Sequence, residues 1–167
     1  MTLTQERLME DLRYDLETGD FHWRRTRCGP RRNSTVAGCL NSQTGYINIA
    51  LDLKRYQAHR LVWLYNYGVF PEGDLDHINR NRADNRLSNL REATRTQNLR
   101  NSSIRSNNTS GYKGVTWVSE KGKWRAQIFN SYKIHHLGYF DDIEKAAQAY
   151  DCKARELFGE FYAEGVS

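Results

Sequence analysis

Four polar residues in one short stretch have the types and spacing to do chemistry on a phosphate ester. Asp76 and His77 are adjacent, Asn89 lies twelve residues beyond His77, and Asn98 twenty-one beyond it. An aspartate oxygen and an amide oxygen suit a hard cation such as Mg2+ and leave positions for water and phosphate. A neutral histidine beside them can take a proton from an attacking water. The surrounding stretch, Asp76 to Arg105, holds seven Arg and six Asn against three acids, Asp76, Asp84 and Glu92. Arg side chains supply phosphate contacts, and Arg80, Arg82 and Arg86 are the candidates for gripping a backbone. Asn amides cap turns as readily as they bind cations, so no single one of these Asn is diagnostic alone.

These residues need elements to hold them. Leu75 to Ile78 suggests a short strand, Asn79 to Arg86 a polar loop, and Arg91 to Leu99 a helix anchored by Leu87 and Leu90. A strand, a loop and a helix in that order would fold Asn98 back toward Asp76. Neighbours on a regular strand point to opposite faces, so Asp76 and His77 serve one phosphate only if the strand bends or ends there. Upstream, Thr4 to Tyr14 reads as a helix with Leu8 and Leu12 on one face, and Phe21 to Arg24 as a strand after a turn. Cys28 to Thr35 reads as a basic loop. Ile47, Ile49, Leu51 and Leu53 alternate with polar neighbours as in a strand, with Tyr56 to Ala58 as a hairpin partner. His59 to Tyr67 is apolar nearly all round, a buried helix stopped by Gly68 and Pro71. His59 at its start reads as a core or cap histidine rather than a ligand.

The polar stretch Asn101 to Gly111 is the best linker. Beyond it the pattern changes to three short strands, Val115–Trp117, Trp124–Phe129 and Ile134–Tyr139. A helix follows from Asp142, with Asp141 as cap and Glu144 completing a capping-box pattern. Ile143, Ala147, Tyr150, Ala154 and Phe158 recur at helical spacing, so one helix face should cover one face of the sheet. The expected fold is α+β in two domains, residues 1–100 and 111–167, joined by a linker at 101–110.

Composition narrows the function classes. The chain has 167 residues, a net charge of +5 and 38% hydrophobic residues. That balance suits two small aromatic-anchored cores better than one deep core. The basic charge is compatible with a polyanionic partner. No segment approaches ~18 consecutive apolar residues, so no membrane span is expected, and a cytoplasmic location, in the host cell if phage-encoded, is the expectation. Three cysteines, Cys28, Cys39 and Cys152, with no C-x-x-C pair argue against a disulfide framework or a cysteine zinc site.

The stretch LDHINRNRADNRLSNLREATRTQN, with the upstream run YQAHRLVWLYNYGVFPEGDLDHI, resembles the HNH nuclease motif of phage homing endonucleases. The resemblance implies a ββα-metal nuclease domain. It places Asp76 and Asn98 as metal ligands, His77 as general base and Asn89 as the residue holding that base. Asp and Asn where other HNH enzymes carry His favour Mg2+ or Mn2+, one ion per site. The implied reaction is phosphodiester hydrolysis of double-stranded DNA, leaving 5′-phosphate and 3′-hydroxyl ends; a monomer with no obligate protein partner is the expectation. The alternative is a non-catalytic DNA-binding regulator that keeps the nuclease fold.

After Ser110 the pieces YKGV, KWRAQI, HLGYF and EKAAQAYD resemble the ethylene-response-factor (Apetala-type) DNA-binding domain. That resemblance implies a three-stranded antiparallel sheet presented to the major groove with a helix behind it. Strand parity puts Trp124, Ala126 and Ile128 on the helix side, and Arg125, Gln127 and Phe129 on the other. Lys113, Thr116, Arg125, Gln127 and His136 are the expected DNA-binding positions. Thr116 and Phe129 stand where the plant domain has Arg, so its target sequence does not transfer.

Overall fold

The computed structural model describes residues 2–24, 35–102, 104, 107–131 and 133–162. The basic loop expected at 28–35 lies outside them except for Thr35, as do parts of the expected linker. The chain is mixed α+β and divides into two compact units, 1–95 and 96–167.

The first unit opens with α1 (Gln5–Asp11), capped by Thr4, whose side chain accepts from the Arg7 amide. The helix was expected to run to Tyr14. It ends at Asp11 because the next residues form β1 (Leu12–Tyr14), an antiparallel hairpin with β2 (Phe21–Trp23). Leu12 and Tyr14 alternate inward there while Arg13 stays exposed, which is strand and not helix burial. A second sheet orders β3 (Cys39–Leu40), β4 (Ile47–Leu51) and β5 (Lys54–Gln57), with Asp52 and Leu53 in the left-handed region making the last turn. The helix α2 (Ala58–Tyr67) follows and ends at Gly68, whose left-handed conformation closes its C-terminus. Leu8, Leu12, Phe21, Ile49, Leu61, Val62 and Leu64 form the core of this unit, with almost no exposed surface.

Next come β6 (Asp74–His77) and β7 (Leu90–Ala93), paired antiparallel. The helix expected from Arg91 therefore starts later, as α3 (Arg95–Arg100). Leu90 to Ala93 has good helix formers, but hydrogen bonding to β6 across the intervening loop overrides that preference.

The second unit carries a sheet ordered β10 (Lys133–Phe140), β9 (Lys123–Asn130), β8 (Val115–Val118), all antiparallel, with α4 (Ile143–Phe158) behind it. Ala126, Ile128 and Val115 of the sheet meet Ala146, Ala147, Ala154 and Phe158 of α4 in two adjoining clusters. The cap of α4 is Asp142 and not Asp141. The Asp142 carboxylate accepts from the Glu144 amide at 2.8 Å, while Asp141 pairs with Lys123. Gly114 is needed on steric grounds: at φ +66° an added Cβ would lie 2.3 Å from the Tyr150 ring and 2.4 Å from the Gln127 carbonyl. Among the described residues no helix is long and apolar enough to cross a membrane.

Candidate active site

The site of interest lies where β6 ends. Leu75, Asp76 and His77 are consecutively buried. A buried polar pair on a strand is costly unless each member is satisfied, and the two residues are satisfied in different ways.

Asp76 stands directly opposite Arg91 on β7. The Arg91 guanidinium donates to Oδ2 of Asp76 twice, from Nε at 3.0 Å and from Nη2 at 2.7 Å. Both side chains are largely buried, at 5% exposure for Asp76 and 14% for Arg91. A carboxylate taken out of water is costly without such a partner.

His77, the last residue of β6, meets the loop and α2. Its Nε2 lies 3.4 Å from Oδ1 of Asn85. The Asn85 amide nitrogen donates to the Ala83 carbonyl at 3.1 Å, which turns the amide so that its oxygen faces the imidazole. An amide oxygen at Nε2 favours the tautomer protonated there, the one that takes a further proton at Nδ1. Burial lowers the His77 pKa below its ordinary value, partly opposed by the Asn85 hydrogen bond and the Asp76 and Asp84 carboxylates. The imidazole is therefore neutral at physiological pH, the form a general base requires.

A second histidine packs against the first. The His59 ring on α2 meets the His77 ring edge-on, with centroids 5.1 Å apart, and Tyr46 lies 5.0 Å from His59 and 5.9 Å from His77. The Arg82 guanidinium sits 5.0 Å above the Tyr46 ring and donates to the Thr44 carbonyl at 2.8 Å. His59 is 4% exposed, and its Nδ1 is enclosed with no hydrogen-bond partner. Burial, then repulsion from His77 and Arg60, pushes its pKa down to about 3. The core reading of His59 fits its burial, but its contact with His77 was not visible in the sequence.

Asparagines fix the loop between β6 and β7. Asn89 Oδ1 accepts from the Asn79 amide at 3.0 Å, and its Nδ2 donates to Asn79 Oδ1 and to the Asp84 carbonyl. Asn79 and Asn81 each accept from the backbone amide two residues on, the local turn chemistry of this residue type. Asn89 thus staples the loop that carries Asn85. Asn85 is itself 1% exposed and was not singled out by spacing. The N-terminal hairpin braces the same loop. The Tyr14 hydroxyl donates to the Asn85 carbonyl at 2.8 Å and accepts from the Leu87 amide at 3.0 Å. Gly19, at φ +80°, approaches so closely that a Cβ would lie 2.5 Å from the Arg86 nitrogen.

The remaining expected positions fall as follows. Arg80, Arg82 and Arg86 are exposed on this loop, with Arg86 paired to Asp84. Asn98 lies in α3, half-buried, on the side of the division that belongs to the second unit. In the second unit Thr116 and Arg125 are cross-strand neighbours, as are Gln127 and His136. The same face carries the exposed apolar side chains of Phe129, Ile134 and Tyr139. The Lys113 ammonium donates to the Arg100 carbonyl at the end of α3.

A divalent cation fits the donor types present. Asp76 offers a carboxylate oxygen, a hard donor of the kind taken by Mg2+ or Mn2+, ions that keep several waters and complete their shell with substrate phosphates. Among the described residues no three His, Cys, Asp or Glu side chains gather as a metal cluster.

Residues 56–100 match the family described as HNH endonuclease. That span contains α2, β6, the loop, β7 and α3. The chain is 38% identical over 123 residues to an uncharacterized HNH endonuclease of Acanthamoeba polyphaga mimivirus, covering 72% of this chain and 63% of that protein. It therefore spans less than two thirds of that relative's length. It is 36% identical over 109 residues to Protein 3.8 of Escherichia phage T7, covering 65% of this chain and 89% of that protein. No solved structure matches the chain.

Proposed function

We propose, from the match of residues 56–100 to the HNH endonuclease family and the likeness to a viral protein named for it, that the chain is a metal-dependent, sequence-directed DNA endonuclease of the phage homing type. The observation that carries this reading is His77: buried, neutral, and in contact with Asn85 at the end of the strand that also carries Asp76. His77 Nδ1 takes the proton from a water aligned for in-line attack on phosphorus. Asn85 holds the ring in the tautomer that allows this, and Asn89 holds the loop that carries Asn85. Asp76 would hold one Mg2+ or Mn2+, with Asn98 the second ligand that the HNH resemblance implies, and the ion would supply Lewis-acid stabilisation of the developing phosphate charge and the leaving 3′ oxygen. Arg80, Arg82 and Arg86 lie on the exposed rim of the same loop, where they can meet phosphates on either side of the cut.

The second unit acts as a DNA anchor of the Apetala type in this reading. On its sheet face Thr116 stands opposite Arg125 and Gln127 opposite His136, hydrogen-bonding groups of the kind that read base edges.

The test is incubation of the full chain with phage and host genomic DNA in Mg2+, followed by mapping of the ends. Discrete sites with 5′-phosphate ends, abolished by EDTA and by His77→Ala while DNA binding persists, are expected. Full cleavage by His77→Ala would overturn the assignment of the base. Site-selective binding with no cleavage in either protein would favour a non-catalytic DNA-binding regulator.

A further inference from the structure

The Asp76–Arg91 pair bears on when the site can take a cation. Asp76 supplies the one carboxylate of the proposed ligand set, since Asn98 is neutral. That carboxylate faces a guanidinium that donates twice to Oδ2, with both side chains largely buried. The two are locked in register, directly opposite on a two-stranded ladder. A cation approaching Asp76 in the free protein meets a carboxylate whose charge is already neutralised by a fixed positive group. Mg2+ sheds its water reluctantly and gains little from such a site. A phosphodiester changes both terms. It brings an anionic oxygen for the cation, and it is the group a guanidinium binds best.

We propose that Arg91 makes cation loading at Asp76 conditional on bound DNA: paired with Asp76 it holds the free protein's site closed to Mg2+, and the incoming phosphate draws off its charge while adding its own. The inference rests on the reading of Asp76 as a metal ligand. It gives Arg91 a role acting through Asp76, as a positioning residue rather than a catalytic one. It would keep the free protein from holding an armed metal centre.

The experiment measures Mn2+ binding directly, by electron paramagnetic resonance of the free ion, with the full chain. Four proteins are compared without DNA: wild type, Arg91→Gln, Arg91→Lys and Asp76→Asn. A unit charge removed next to a dication site should matter by about tenfold or more. Arg91→Gln is therefore expected to bind Mn2+ at least about tenfold more tightly than wild type, and Arg91→Lys, which keeps the charge, to behave as wild type. In a His77→Ala background that prevents cutting, a short DNA duplex should tighten Mn2+ binding by a similar factor. Ions held by the DNA alone are subtracted with the Asp76→Asn/His77→Ala protein. The inference is overturned if folded Arg91→Gln binds Mn2+ no more tightly than wild type. It is equally overturned if the protein without DNA binds Mn2+ as tightly as the complex. That second comparison needs no change at Arg91 and decides the matter should Arg91→Gln fail to fold. If Asp76→Asn leaves Mn2+ binding unchanged both with and without DNA, the cation lies elsewhere. The ligand assignment itself then fails, a different result from a failure at Arg91.

Discussion

Replacing His59 by Phe should remove much of the acid sensitivity of the first unit. His59 is nearly fully buried, with an enclosed Nδ1 that has no partner, and its pKa is pushed from 6.5 down to about 3. In the unfolded chain it regains its ordinary value. Between those two values the unfolded state binds the proton and the folded state does not, so stability falls as pH falls. The contribution is complete above pH 6.5 and is lost as pH drops toward about 3. Three and a half pH units at about 1.4 kcal/mol per unit come to about 5 kcal/mol. That is comparable with the whole stability of a small domain, about 5–15 kcal/mol. Phe keeps a ring against Tyr46 and His77 and has no proton to bind. Its size shifts the baseline at all pH values alike, so the slope is the informative quantity. His77, also depressed by burial, adds acid sensitivity of the same sign in both proteins. The assay is amide hydrogen exchange across α2, corrected for its intrinsic pH dependence, with α4 of the second unit as internal control. The stability difference between wild type and His59→Phe should be flat above about pH 7 and fall by about 1.4 kcal/mol per pH unit between about pH 6 and 4. Parallel pH profiles for the two proteins would refute the reasoning, because His59 would then be protonated in the folded state at little cost.

Asn85→Leu should slow single-turnover cleavage about tenfold to a hundredfold, a loss of one oriented hydrogen bond worth about 1–3 kcal/mol, with DNA binding unchanged. Asn85→Asp keeps an acceptor on His77 Nε2 and adds a charge that favours the imidazolium, so the acidic limb of its pH–rate profile should move to higher pH. Gly114→Ala should destabilise the second unit by about 2 kcal/mol or more, seen in thermal melts, because its Cβ would lie within 2.4 Å of both the Tyr150 ring and the Gln127 carbonyl. Arg125→Ala with Gln127→Ala should weaken DNA binding without slowing cleavage of bound DNA. If Arg125 contacts one phosphate, the log–log salt slope should fall by about 0.9, as read by titrations at several salt concentrations. Lys113→Ala is expected to act differently, through stability, because its ammonium is held by the Arg100 carbonyl.

Much of the fold was legible because local pattern and final environment agree. Ile49 and Leu51 alternate inward in β4 as their spacing says, and Ala126 and Ile128 do the same in β9. Gly68 stops α2 by the conformation that makes Gly a helix terminator. The errors fall where non-local pairing decides. Leu90 to Ala93 has helix propensity and only four residues in which to show a strand period. Its state is set by β6, across a loop stapled by Asn79 and Asn89. Reading that stretch as helix also hid the Arg91–Asp76 pair, because the two residues meet only when both lie on one ladder. Residues Leu12 to Tyr14 continue the helical spacing in sequence for the same reason, their strand partner Phe21–Trp23 lying beyond a turn.

The chemistry shows the same divide more sharply. Residue type and spacing pick out Asp76 and His77, since an acid beside a histidine is rare enough to carry information. They cannot rank six asparagines, because an amide that caps a turn and one that orients an imidazole are the same side chain. What separates Asn85 from Asn79, Asn81 and Asn89 is burial against His77 with its amide turned by the Ala83 carbonyl. That burial depends on Tyr14, which bonds the Asn85 carbonyl from seventy-one residues away. His59 joins the site only because α2 packs across the end of β6. Spacing therefore locates the reacting groups, while the groups that set their tautomer, basicity and charge come from distant elements. Substitutions at Asn85, His59 or Arg91 should accordingly change how the site works without touching the residues that name it.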